Sequence, residues 1–254
     1  MIKDGKRNRR GNSARTKGTV RRFKPNAIAA AIFSIQAGAA WANQECGSVD
    51  PAEVEPEVIC ESDPTDYADG IRYLEGDIPN GLRLTVNPEV VVNRAPGAFN
   101  YPIDVATEGS NGISIDLADG ATITASGQSV IGVKVKTHGD AYVDSGANIT
   151  VEDPTGPSDG HSTAAILAEG RDATSAGTIE VRQRAGSKLT ARGREPVGIA
   201  VQQPGAGRAS VISAGEIDVN GDNAWGILAW AMKTSTADVR VEQSYGYLSE
   251  LKAA

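Results

Sequence analysis

The chain has 254 residues, 29 of them Gly and only 3 Phe, and its 40% hydrophobic content is mostly Ala, Val and Ile. That is enough for one or two domains with a core, but a core lacking aromatics must be layered from many small side chains, and β-branched residues favour strands. The net charge of −7 is unevenly spread: residues 1–42 hold ten Lys/Arg against Asp4 alone, leaving 15 basic and 31 acidic groups beyond them, a net −16. So acidic a body argues against nucleic acid or anionic lipid as a partner.

The amino terminus reads as an address. A basic stretch of about 26 residues precedes an uncharged apolar run, AIAAAIFSIQAGAA at 27–40, which ends in Ala40-Trp41-Ala42. This is the layout of a secretory signal peptide, here an extended one over residues 1–42, with cleavage expected between Ala42 and Asn43 and the Sec export machinery as the implied partner. The run is too short to remain as a membrane span. Arg21-Arg22-Phe23-Lys24 has a twin-arginine flavour but lacks the preceding Ser/Thr and the hydrophobic spacing of that signal.

The only cysteines, Cys46 and Cys60, follow the expected cleavage site and enclose 13 residues. An even count in an exported chain points to a disulfide. Closing a loop of that size stabilises by about 3 kcal/mol in the chain-entropy account. A metal site would need partners, and the two histidines, His138 and His161, lie far along the sequence. Residues 43–80 are acidic and turn-rich, and read as a loosely ordered, disulfide-closed lead-in.

From about Leu82 the chain repeats. One short strand pattern recurs at Ile123-Thr124-Ala125, Ile149-Thr150-Val151, Leu189-Thr190-Ala191 and Ile217-Asp218-Val219. A second recurs at Gly132–Val135, Ala165–Ala168, Gly198–Val201 and Gly226–Ala229, and a third at Ala141–Val143, Thr178–Val181, Ala209–Val211 and Ala237–Val239. The step from first to second is 10 residues in three circuits and 17 in the other, where EDPTGPSDGHS forms a turn-rich insertion. Three short alternating strands returning in order every 26–30 residues predict a right-handed parallel β-helix over 81–246, with a short tail at 247–254. One coil cannot bury its inward residues alone, so Ile123, Ile149, Leu189 and Ile217 should stack in one inward column. A β-sandwich also has many short strands, but it does not require one three-part motif to return in order four times. Upstream, Leu82–Val86, Val90–Val92, Tyr101–Val105 and Gly112–Leu117 read as a less regular coil or cap.

The segments ITASGQSVIGVKV (123–135), LTARGREPVGIAV (189–201) and IDVNGDNAWGILA (217–229) resemble a repeat of bacterial autotransporter passenger domains, the pertactin-like right-handed β-helices of type V secretion. The extended basic region before the signal is similar to that family too. The resemblance covers roughly residues 82–246. It implies export and display at the cell surface or outer membrane, or secretion, with an adhesive or virulence-associated structural role and a host or bacterial surface ligand. The family's outer-membrane barrel is missing from this sequence. The expectation is that the barrel lies on another chain, or that the chain is a fragment or truncated remnant, in which case the product stops in the periplasm.

Related β-helix folds include polysaccharide lyases and hydrolases, so a polysaccharide-degrading enzyme is the alternative reading. Its candidate acids pair along the chain as Asp116 with Asp119, Asp140 with Asp144, Asp153 with Asp159, and Asp218 with Asp222. Carboxylates about 5–10 Å apart suit glycoside chemistry, but Asp is also a turn residue and these pairs fall at the bends. No nucleophile elbow, P-loop or zinc motif occurs. Gly170-Arg171-Asp172 is not the Arg-Gly-Asp order, and Trp225 and Trp230 are expected to pack partly against a repeat strand. No catalytic residue, metal or cofactor is assigned, and the protein is expected not to be an enzyme.

Overall fold

The computed structural model describes residues 46–62, 67–154, 163–231 and 238–244. The expected signal peptide, its Ala42–Asn43 junction, most of the insertion with Asp159 and His161, and the tail lie outside the described residues. Every regular element described is a strand.

The strands follow one another in coils. β1 (Glu57–Cys60) stands one rung before a partial first coil of β2 (Ile71–Tyr73) and β3 (Leu82–Val86). The second is β4 (Val91–Ala98), β5 (Ile103–Ala106) and β6 (Ile113–Leu117); the third is β7 (Thr122–Gln128), β8 (Ile131–Thr137) and β9 (Ala141–Ser145). Next come β10 (Asn148–Glu152), β11 (Ala164–Gly170) and β12 (Ile179–Gln183), then β13 (Lys188–Arg192), β14 (Val197–Gln203) and β15 (Arg208–Ser213). The last coil is β16 (Glu216–Asn220), β17 (Trp225–Ala231) and β18 (Asp238–Gln243).

Within a coil no two strands pair. Each instead pairs in parallel with its counterpart one coil on, which builds three sheets: sheet one, β4-β7-β10-β13-β16; sheet two, β2-β5-β8-β11-β14-β17; and sheet three, β1-β3-β6-β9-β12-β15-β18. This is a right-handed parallel β-helix of about 6 turns.

The register stacks like on like. Val92, Ile123, Ile149, Leu189 and Ile217 are successive Cα partners in sheet one, so the expected inward column forms. Ile71, Ile103, Val133, Ile166, Ile199 and Ile227 make the column of sheet two. Val58, Leu84, Ile115, Val143, Val181, Val211 and Val241 make that of sheet three. A slip of one residue would turn each column outward, so the two-residue alternation fixes the winding.

Two kinds of Gly shape the corners. Gly120 and Gly186, just before β7 and β13, have φ of +92° and +86°, which a side chain resists. Gly132 and Gly198 serve space instead: a Cβ on Gly132 would lie 2.6 Å from both Ala165 O and Ile149 Cγ2, and one on Gly198 would lie 2.5 Å from Gly226 O and also meet Ile217 Cγ2. At Gly132 and Gly198 the inside of the corner thus has no room for a side chain.

The lead-in corrects an expectation. Residues 43–80 are not loose over their described part. β1 pairs with β3 and β2 with β5, and Ile71, Tyr73 and Ile78 are fully buried. Likewise β4, β5 and β6 form a complete coil in register with the next, irregular only at a bulge between Arg94 and Gly97. Cys46 and Cys60 are joined in a disulfide, Cα–Cα 4.7 Å, with Cys60 buried beneath Val86 in sheet three.

Candidate functional site

The fold regroups the candidate acids. Asp116 on β6 and Asp144 on β9 face outward as Cα partners on adjacent rungs of sheet three. Arg184 follows β12, where its backbone N–H donates to Ser145 O at 2.8 Å. That anchor aims its guanidinium down the wall, donating to Asp144 Oδ1 at 2.9 Å and Asp116 Oδ1 at 2.5 Å and lying 3.7 Å from Asp119 Oδ1. Three carboxylates therefore share one cation. The hydrogen bond to Asp144, then that to Asp116, raises the Arg184 pKa above its ordinary value, so the guanidinium stays charged and cannot act as a base.

The other candidates serve turns and ladders. Asp140 Oδ1 accepts the Thr178 N–H at 2.7 Å, and buried Asp153 accepts the Ser129 N–H at 3.1 Å. Asp218 lies 3.6 Å from Arg192 and 3.9 Å from Lys188, while Asp222 contributes its backbone carbonyl to the Glu195 N–H. The structure does not bring Asp140 to Asp144, or Asp218 to Asp222, as a shared site: those groups serve separate turn and ladder contacts.

A Ser, a His and an Asp meet at the corner between sheets two and three, but not as a relay. Ser175 Oγ and Asp172 Oδ1 lie 3.4 and 3.6 Å from the same His138 nitrogen, Nδ1. A triad needs its nucleophile and its acid on opposite ring nitrogens. Asp172 is held instead by the hydroxyl and N–H of Thr174, which keep its carboxyl below the ordinary range. Neighbouring Arg171 pairs with Glu75 and Glu108, a structural use of the Gly170-Arg171-Asp172 segment.

A second group, which the sequence reading did not single out, lies on the outside of sheet two. Arg72, Asp104 and Lys134 are successive Cα partners. Arg72 Nη2 lies 3.5 Å from the Asp104 carboxylate, Arg94 donates to Tyr101 O at 2.9 Å, and Lys134 Nζ sits 4.4 Å above the Tyr101 ring. Burial pushes the Asp104 carboxyl above its ordinary range, and Lys134, Arg72 and Arg94 offset that only in part. Among the described residues no cluster of His, Cys, Asp and Glu is placed to hold a metal ion.

No family model, curated protein or solved structure matches the chain. Fold and cross-link together define its class: a disulfide-closed parallel β-helix protein.

Proposed function

We propose that the protein is an exported passenger of the autotransporter kind, a rigid rod displayed at the bacterial cell surface whose corners carry the contacts to a surface ligand. The observation that carries the reading is the disulfide-closed solenoid of six turns. A bond of this kind persists in oxidising compartments, and a repeated parallel coil presents long walls and variable corners. The signal-like amino terminus and the acidic body support the same reading. Sec would be the route across the inner membrane. The test is to express the full chain in a Gram-negative host, sequence the mature amino terminus and probe intact cells with protease. The reading requires a protein starting at Asn43 and found outside the inner membrane. Uncleaved protein confined to the cytosol would end it.

One observation favours polysaccharide cleavage: Asp116, Asp119 and Asp144 do gather on one wall beside an arginine. A permanently charged Arg184 occupying two of those carboxylates leaves no free acid–base pair of the sort glycoside chemistry uses. Turnover of acidic or neutral polysaccharides, lost in Asp144→Asn, would restore that reading.

A further inference from the structure

Elsewhere on the solenoid, basic side chains lean on acids: Arg184 on Asp116, Asp119 and Asp144, Arg171 on Glu75 and Glu108, Lys188 on Glu216 and Asp218, and Lys136 on Glu169. The outside of sheet two inverts that ratio. Arg72, Arg94 and Lys134 all act on Asp104, and exposed Asp69 acts on Arg94 from the turn before β2. Asp104 is buried, whereas the three cations stay partly open to solvent. Among the described residues they use few of their donors. Arg72 lies 3.5 Å from Asp104, and its Nε has no acceptor. Arg94 gives one N–H to Tyr101 O at 2.9 Å, and Lys134 Nζ rests on the Tyr101 ring. Burial, and then the nearby Arg72, lowers the Arg94 pKa, although a guanidinium stays charged. Like charges are thus crowded on one spot of an otherwise acidic body, with donors unused.

We infer that this cluster binds a single tetrahedral oxyanion, a phosphate or sulfate group, with Arg72, Arg94 and Lys134 as its donors. The three come from separate elements: Arg72 from β2, Lys134 from β8 and Arg94 from the bulge of β4. One guanidinium fork satisfies a planar carboxylate, whereas a tetrahedral group offers acceptors to donors arriving from three directions. Asp104 has two opposed effects. Its pairing with Arg72 holds the cations in place, and its charge repels the anion. The body beyond residue 42 carries a net −16, which repels an extended polyanion. The occupant is therefore one charged group, either the free ion or an ester on a sugar. Anion binding and export fail separately, since the first is read in purified protein and the second in cell fractions.

Calorimetric titration of the oxidised full chain at low ionic strength tests this, with sulfate and inorganic phosphate as probes and acetate as the planar comparator. Both tetrahedral ions should bind at a single site, and acetate about tenfold more weakly. Lys134→Met should weaken sulfate about tenfold, the loss of one charge-assisted contact. Asp104→Asn removes the opposing charge and should tighten sulfate. Lys188→Met, on sheet one, should leave it nearly unchanged. Circular dichroism should show every variant folded as the wild type is. Glucose 6-phosphate separates the sources: affinity equal to that of phosphate supports a sugar-borne group, and its exclusion supports the free ion. Absence of binding by both tetrahedral ions overturns the inference. So does binding that survives Lys134→Met, that Lys188→Met weakens equally, or that acetate matches.

Discussion

Asp116 and Asp144 lie side by side on neighbouring rungs of sheet three, and the guanidinium of Arg184 holds both carboxylates. Directly opposed like charges destabilise a sheet, so the arginine's main effect is to remove a repulsion between rungs. Arg184→Met keeps the aliphatic stem and should cost about 1 kcal/mol, the scale of partly exposed ion-pair networks. Denaturant titration should show the loss shrinking at high salt, where exposed charges are screened. Adding Asp144→Asn should recover part of it, and equal losses with and without that change would exclude the bridging account.

The inside corners yield a comparison with its own control. Gly132→Ala and Gly198→Ala push a methyl into the next rung and should each destabilise by about 1–3 kcal/mol. A Cβ at the equivalent Gly226 meets nothing within 4 Å, so Gly226→Ala should leave the melting temperature nearly unchanged. Equal effects at all three would mean that intrinsic propensity, rather than rung contact, selects glycine there.

Asp104 predicts a pH dependence. Burial raises its carboxyl above the ordinary carboxylate range, so the native state binds its proton more tightly than the unfolded chain does. This group's stabilising contribution is therefore full below the unfolded pKa and is lost as pH rises through the native one. Asp104→Asn should be no less stable than the wild type at neutral pH. On acidification from neutral pH to below 3.8, the wild type should gain stability relative to that variant. Thermal melts of both proteins across that window measure the difference, and a wild-type advantage that instead grew with pH would reverse the assignment.

The lead-in is fastened twice, by the disulfide and by Tyr73. Tyr73→Phe removes the hydrogen bond to Gly47 O and should cost about 1 kcal/mol. Reduction of Cys46–Cys60 should cost about 3 kcal/mol. Applied together they should cost less than their sum, since both secure one segment. Strict additivity in calorimetry would show that the two act on separate parts of the chain.

The winding was readable because a parallel coil returns each inward residue to the same column, and Ile123, Ile149, Leu189 and Ile217 carry that return in plain sequence. The start of the helix was not. β1 and β2 have only four and three residues, too short for alternation to stand out from turn-rich surroundings. Pairing acids by nearness along the chain also misled, since the fold brings residues together one circuit apart. Asp116 and Asp144 are separated by 28 residues, within the circuit length already read from the repeats. Arg184 lies beyond the longer coil, so counting from a regular repeat does not reach it. At Gly132 and Gly198 the absence of a side chain is what matters, and that depends on contacts with the next rung that the local sequence does not display.

The coil from β10 to β12 carries eleven residues between its first two strands and eight between its last two, yet its neighbours β7 and β13 still align with it residue for residue. Extra length at a vertex leaves the register between the rungs unchanged. Mutation can therefore lengthen or rewrite a vertex while the scaffold beneath keeps its pitch, which separates the evolution of what the molecule touches from the evolution of how it stands.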